Sequence, residues 1–235
     1  MLNYDDLSIL QATDIQNELR HSVSLVTEPT NITTIAGGDI SHNKFSNVVY
    51  AGIVILSYPQ MEVLSYSFVE AKTKFPYVPG YLAFREVPAL LEAWNNIPVK
   101  PDIMVLDGNR IVHPREYGIA CHFGVMAITA TIGCAKSMLY GSYAPLRLEK
   151  FSESAITTPN GIKGYALRTK DGVKPVYVSP GHKVSIEDSV DIMKTCVLKH
   201  RIPEPTRMAH EKTNLFRVGT LKEGYHVVDV QGSLF

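Results

Sequence analysis

The chain has 235 residues, 45% hydrophobic and 20% charged, the balance of a globular protein with a full core rather than of a disordered or fibrous one. Formal net charge is zero, so no overall basic field marks a nucleic-acid binder; eleven bases against six acids over residues 163–217 still leave room for a local phosphate footprint. The acidic start Met1-Leu2-Asn3-Tyr4-Asp5-Asp6, the strand-sized apolar runs and the isolated Cys121, Cys134 and Cys196 argue against a signal peptide, a membrane span, a disulfide framework and a zinc site. A cytoplasmic protein folded as one α/β domain over residues 1–235 is expected.

In chain order, apolar positions at Leu7, Leu10, Ile15, Leu19, Val23 and Leu25 predict an amphipathic helix within residues 4–27. Three strands follow, over Ile32–Ser41, Val48–Tyr58 and Met61–Ala71, the last two joined through Pro59-Gln60 as an antiparallel hairpin. A helix over Leu82–Trp94 leads to the short apolar strand Ile103–Leu106, which ends in Asp107-Gly108. Then come a helix over Tyr117–Thr129, strands over Thr131–Ala135 and Pro175–Ser179, and helices over Ile186–Leu198 and Pro203–Lys212. The Gly/Pro/Thr-rich stretch Ser152–Gly172 reads as a surface excursion. Three antiparallel strands followed by alternating helix and strand imply a mixed sheet with helices on both faces, the ribonuclease H-like order.

Candidate chemistry gathers at a few points. Phe75-Pro76-Tyr77-Val78-Pro79-Gly80 is a loop stiffened by two prolines, each fixing φ and removing a donor. It should hold Tyr77 outward, where a ring can stack on a base of any sequence. Asp39 follows Gly37-Gly38 inside an apolar strand; glycine there suggests a close backbone approach, and a carboxylate among apolar neighbours needs a partner. Asp107 stands at the carboxyl end of a buried strand and Glu86 in what reads as the first turn of a helix, although Asp-Gly is also a common turn and an early helical acid also suits the macrodipole. Together the three acids make a plausible site for Mg²⁺, which prefers carboxylate oxygens and keeps several waters. His113, in the loop His113-Pro114-Arg115, and Lys136, after the strand Thr131–Ala135, could meet phosphate or developing charge, although a solvated loop histidine and a plain surface lysine are the competing readings. Arg207 and His210 share a helical face, and Ser179-Pro180-Gly181-His182-Lys183 is a glycine turn with a basic pair. Arg85, Arg115, His182, Lys183 and Arg207 are the candidate phosphate-binding residues, although the turn that holds His182 and Lys183 also reads as a simple strand-to-helix connection.

The set resembles the endonuclease V family of deaminated-purine repair nucleases. The resemblance rests on Ala36-Gly37-Gly38-Asp39, Pro76-Tyr77-Val78-Pro79-Gly80 with Phe84-Arg85-Glu86, Val105-Leu106-Asp107-Gly108 with His113-Pro114-Arg115, Gly133-Cys134-Ala135-Lys136, Ser179-Pro180-Gly181-His182, and Arg201 through Arg207. It implies a ribonuclease H-like fold and Mg²⁺-dependent hydrolysis of the second phosphodiester 3′ to an inosine, leaving 3′-hydroxyl and 5′-phosphate. By the same resemblance, Asp39 and Asp107 with Glu86 would hold the metal, and His210 would complete the cluster at a position that is Asp or His in the family. Lys136 and His113 would lie near the scissile phosphate. Pro76, Tyr77, Val78, Pro79 and Gly80 would form a strand-separating wedge, with Gly80, Leu82 and the turn after Asp107 as candidates for the base pocket. Two departures matter. Asn109-Arg110 replaces His-Gly after Asp107-Gly108 and adds bulk beside the base, while His210 lowers the site's negative charge and favours Mn²⁺ as an alternative ion. The expected partner is deoxyinosine-containing DNA, with inosine-containing RNA as the alternative substrate, and the expected state is a monomer. A non-catalytic nucleic-acid-binding module and a different ribonuclease H-like nuclease are the competing readings; intact acids oppose the first and the proline wedge the second.

Overall fold

The computed structural model describes residues 4–44, 46–108 and 115–228. Its strands are β1 (Thr34–His42), β2 (Val48–Ser57), β3 (Val63–Lys72), β4 (Ile103–Leu106), β5 (Thr131–Ala135), β6 (Glu153–Thr158), β7 (Gly161–Leu167), β8 (Val176–His182) and β9 (Gly224–Val227). Its α-helices are α1 (Ile9–Leu19), α2 (Leu82–Asn95), α3 (Ile119–Ala127), α4 (Ile186–Thr195) and α5 (Glu204–Arg217). All the strands join one sheet in the order β6-β7-β8-β5-β4-β1-β2-β3-β9. β1, β2 and β3 are antiparallel neighbours, and β4 and β5 run parallel beside β1. This is the expected ribonuclease H-like mixed sheet. Among the described residues no helix is long and apolar enough to cross a membrane.

Side-chain alternation explains the layers, because successive residues of a strand point to opposite faces. Ala36, Ile53, Met104 and Leu106 pack with Val87, Leu90 and Trp94 of α2 and Phe123 of α3. Ile35, Val54, Val105, Ile132 and Val178 pack on the other face with Val190 and Met193 of α4, joined by Met208 of α5. Helices therefore cover both faces, as expected. Cys121, Cys134 and Cys196 are buried thiols, and no disulfide joins them.

Three expectations need correction. The stretch Ser152–Gly172 is no surface excursion: β6 and β7 form an antiparallel hairpin that extends the sheet past β8. The strand β9, which pairs with β3 over Ser65–Phe68, was not expected at all. The first helix is shorter than residues 4–27; Leu7, Ile15, Leu19 and Val23 pack inward as expected, but Leu10 is 72% exposed while Gln16 is wholly buried. Its start is set by Ser8, whose hydroxyl accepts from the backbone of Gln11 while the Gln11 side chain accepts from the Ser8 backbone, a capping box.

One close approach sets the position of α5. A Cβ at Gly37 would stand 1.8 Å from the carbonyl oxygen of Pro205 and 3.1 Å from Cβ of Ala209. Backbone cannot yield as a flexible side-chain tip can, so only glycine lets α5 lie directly on β1. Pro203 caps α5 and Pro205 sits in its first turn, where a missing N–H costs nothing. Gly37→Ala is therefore expected to cost about 1–3 kcal/mol and to lower the midpoint of denaturant unfolding; an unchanged midpoint would show that α5 is not seated by this contact.

Candidate active site

Asp39 and Asp107 reach the same place from adjacent parallel strands. Gly38 of β1 is in register with Leu106 of β4, so the two aspartates stand one step further along. Asp39 shares its face of β1 with Gly37, which faces α5. The next residue of α5 after Ala209 is His210, and its Nδ1 lies 3.0 Å from Oδ2 of Asp39. Asn214 accepts from Ser41 Oγ at 2.9 Å through Oδ1 and directs Nδ2 at His210 Nε2 across 3.3 Å. That arrangement sets one ring nitrogen of His210 on the Asp39 carboxylate and the other on the Asn214 amide. Lys136 follows directly on β5, and its Nζ is 2.6 Å from Oδ2 of Asp107.

Glu86 comes from the opposite face, on α2. The helix begins at Leu82, so Glu86 lies in its second turn rather than the first, and the macrodipole does little for it. The residue shows some surface, but its carboxyl group is almost wholly enclosed by protein. Burial first and the Asp39 carboxylate second push its pKa up to about 8, with Asp107 adding to the rise and the Arg85 guanidinium opposing it. Like charges drawn together out of water cannot all ionise. The two aspartates are partly neutralised: Lys136 neighbours one, and the other's hydrogen bond raises the pKa of His210 above the usual imidazole value. Among the described residues, no three His, Cys, Asp or Glu side chains close on a point as a finished metal cage. Asp39 and Asp107 are directed at His210 and Lys136. The donor set is nevertheless hard and oxygen-rich, and Mg²⁺ commonly uses one or two carboxylates with the remaining positions filled by water.

A cavity of about 130 Å³ adjoins the acids, with Glu86 and Asp107 both on its wall. Leu82, Ile119 and Leu139 supply apolar surface, and Gly80 and Gly108 bring backbone to it. Of the expected pocket candidates, Gly80, Leu82 and Gly108, the residue directly after Asp107, meet in one cavity. Gly80 turns with φ +84°, a conformation natural to glycine. Before it, Pro76, Tyr77 and Pro79 are exposed and Val78 is half-buried, with Tyr77 61% exposed near the ring of His42. Tyr81 does not share that freedom. Its hydroxyl is 2.8 Å from Thr13 Oγ1, and the Arg115 guanidinium lies 4.2 Å over its ring.

The phosphate-binding candidates fare differently. Arg85 is buried and donates to the carbonyls of Phe75, at 2.8 Å, and Ser46, at 2.9 Å; it ties the root of the loop to the β1–β2 turn rather than facing a ligand. Arg115 donates to Gln16 Oε1 and to the Gly80 carbonyl. Arg207 pairs with Glu204 and Glu211 along α5. His182 is opposite Thr131, the far end of β5 from Lys136; its Nδ1 accepts from the Ser24 backbone and Lys183 pairs with Glu28. Their charges are committed to the fold. His113 and the Asn109-Arg110 pair lie outside the described residues. The sequence reading missed Gln16 and Asn214, neutral amides with no charge or motif to mark them.

Comparison with known proteins places the chain in a family. The sequence model of the Endonuclease V family matches residues 17–211. Endonuclease V of Trichormus variabilis is 43% identical over 204 residues, covering 86% of this chain and 92% of that protein. The crystal structure of endonuclease V from Streptomyces avermitilis superposes with a TM-score of 0.85 at 34% identity, over 91% of this chain and 95% of that one. Endonuclease V of Ciona intestinalis, in complex with a 24mer DNA containing an inosine followed by a ribo-adenosine, matches with a TM-score of 0.77 at 29% identity, over 89% and 98% of the two chains. The chain belongs to the endonuclease V family.

Proposed function

We propose that this chain is a divalent-cation-dependent endonuclease that recognises a deaminated purine in DNA and hydrolyses the second phosphodiester bond 3′ to it, leaving 3′-hydroxyl and 5′-phosphate. The observation that carries the reading is the shared wall: Glu86 and Asp107 belong both to the acidic cluster and to the cavity. A base held in that cavity lies beside the acids, so its own strand is the one presented for cutting. The Ciona relative's inosine-containing DNA supports the choice of lesion.

Asp39 and Asp107, with Glu86 beside them, would hold Mg²⁺ or Mn²⁺. When bound, the ion activates water and neutralises charge on the departing oxygen. The residues of this chain do the rest. Glu86, held near a pKa of 8 by burial and neighbouring acids, gives up its proton more readily once positive charge is near. Lys136, 2.6 Å from Asp107, keeps an ammonium at the edge of the cluster where a phosphate oxygen can find it. His210 is fixed by Asp39 on one nitrogen and Asn214 on the other. Tyr77 at the exposed tip enters the duplex and fills the gap left when the lesion is flipped out, a displacement cheapest for a poorly paired base. The edge of hypoxanthine carries an acceptor at position 6 and a donor at position 1, where adenine carries the reverse, and that reversal is what a pocket beside the acids would read.

Matched DNA and RNA oligonucleotides with a single inosine, incubated with Mg²⁺ or Mn²⁺, test this directly by the position of the cut. DNA is expected to be cut one nucleotide beyond the inosine's 3′ neighbouring bond. Asp39→Asn and Asp107→Asn should each lower turnover at least about a hundredfold, and excess chelator should stop it. Full cleavage under chelation, or by both variants, would refute the assignment; cleavage of RNA alone would transfer the activity to inosine-containing RNA.

Tyr77→Ala tests the wedge separately. Base–aromatic stacking is worth about 1–3 kcal/mol, so preference for inosine DNA over undamaged DNA should fall about tenfold while the ion's apparent affinity holds. An unchanged preference would remove Tyr77 from lesion sensing.

A further inference from the structure

Gln16 is an unusual residue to find wholly buried on a short helix at the edge of the fold. Helix α1 packs its Ala12 with Phe75 and Phe84, the buried rings on either side of the proline loop, which stack on each other 5.4 Å apart. One turn further along, Gln16 lines the cavity next to the acids. Its Nε2 donates to the carbonyls of Gly80, at 3.1 Å, and Tyr117, at 3.3 Å, and its Oε1 accepts from Arg115 Nε at 2.5 Å. Arg115 in turn donates to the same Gly80 carbonyl at 2.8 Å and lies over Tyr81. Three segments far apart in sequence, at residues 16, 80–81 and 115–117, are thereby joined by one amide and one guanidinium.

A purely space-filling role would be met by leucine or methionine at no cost in desolvated polar atoms. The amide is instead used three times, each time on a loop and never on the sheet. Gly80 ends the proline loop and Tyr117 leads into α3, whose first residue Ile119 is on the cavity wall. Both walls of the cavity are therefore set by the same side chain, and so is the distance between the cavity and the exposed tip at Tyr77.

Resting on the function proposed above, we infer that Gln16 is a positioning residue for lesion recognition: it locks the proline loop to the base pocket, so that flipping and wedge insertion occur in register. It touches no reacting atom. Its loss should therefore weaken selection of inosine before it weakens chemistry.

Steady-state cleavage of inosine-containing and undamaged duplexes by Gln16→Leu and Gln16→Glu tests the inference. Gln16→Leu keeps the volume and removes all three bonds; Gln16→Glu keeps an acceptor for Arg115 but sets a carboxylate against two carbonyls. Each variant should raise KM for inosine DNA about tenfold, the scale of losing a buried hydrogen-bonded group, with the change in kcat within about threefold. The inosine-to-undamaged ratio should fall about tenfold. If Gln16→Leu does not fold, Gln16→Glu decides alone. Unchanged KM and ratio, or equal losses on both duplexes in proportion to the folded fraction, would overturn the inference and leave the proposed function intact. Failure of the unaltered protein to cut inosine DNA would overturn the function itself.

Discussion

Three carboxyl groups meet beside the central strands β1 and β4, and the arrangement around them follows from the cost of bringing them together. Two come from neighbouring parallel strands and one from the helix across the sheet, with enough burial to raise Glu86 to about 8. Self-repulsion of this kind lowers stability unless positive charge is supplied. The fold supplies part of it through Lys136 against Asp107, His210 against Asp39, and the nearby Arg85. The remainder is what a divalent cation would provide. Gly37 belongs to the same solution, because α5 brings His210 to Asp39 only where the strand has no side chain in its way.

The proline loop gains its role from its two anchored ends. At one end Phe75 is stacked on Phe84 and held by Arg85 through its carbonyl; at the other Gly80 is held by Gln16 and Arg115. Rigid roots and an exposed tip suit a wedge better than a lid, since a lid needs a hinge. Between Tyr77 and Glu86 lie only eight residues, and Gly80 and Leu82 of that connection line the cavity.

Much of the fold was legible in the sequence because it is written locally. The apolar runs of β2, β4 and β5 and the helical period of α2 each suffice to identify an element, and their order implies the sheet. The hairpin β6–β7 was misread because most of its positions are exposed or half-buried, so its sequence has the polarity of a loop. Four-residue β9 is too short for a pattern to show. On α1, Ile15 and Leu19 pack inward as the apolar pattern implies, but Leu10 is exposed and the polar Gln16 is buried, because the Gln16 amide is bonded to loops.

The acids of the candidate site could be read from strand ends and glycines, but the cations around them could not. A base in sequence carries no record of what already occupies its charge. Arg85, Arg115 and Arg207 are engaged with carbonyls, an amide and carboxylates, and the antiparallel course of β8 takes His182 away from the acids. On this account the crowded carboxyl groups form a cation site before any nucleic acid arrives. Titration of Mn²⁺ into the protein alone, followed by electron paramagnetic resonance of the free ion, measures this most directly. Saturable binding that Asp39→Asn and Asp107→Asn each weaken by about tenfold or more is the predicted result; equal binding by the unaltered protein and a variant lacking both aspartates would contradict it.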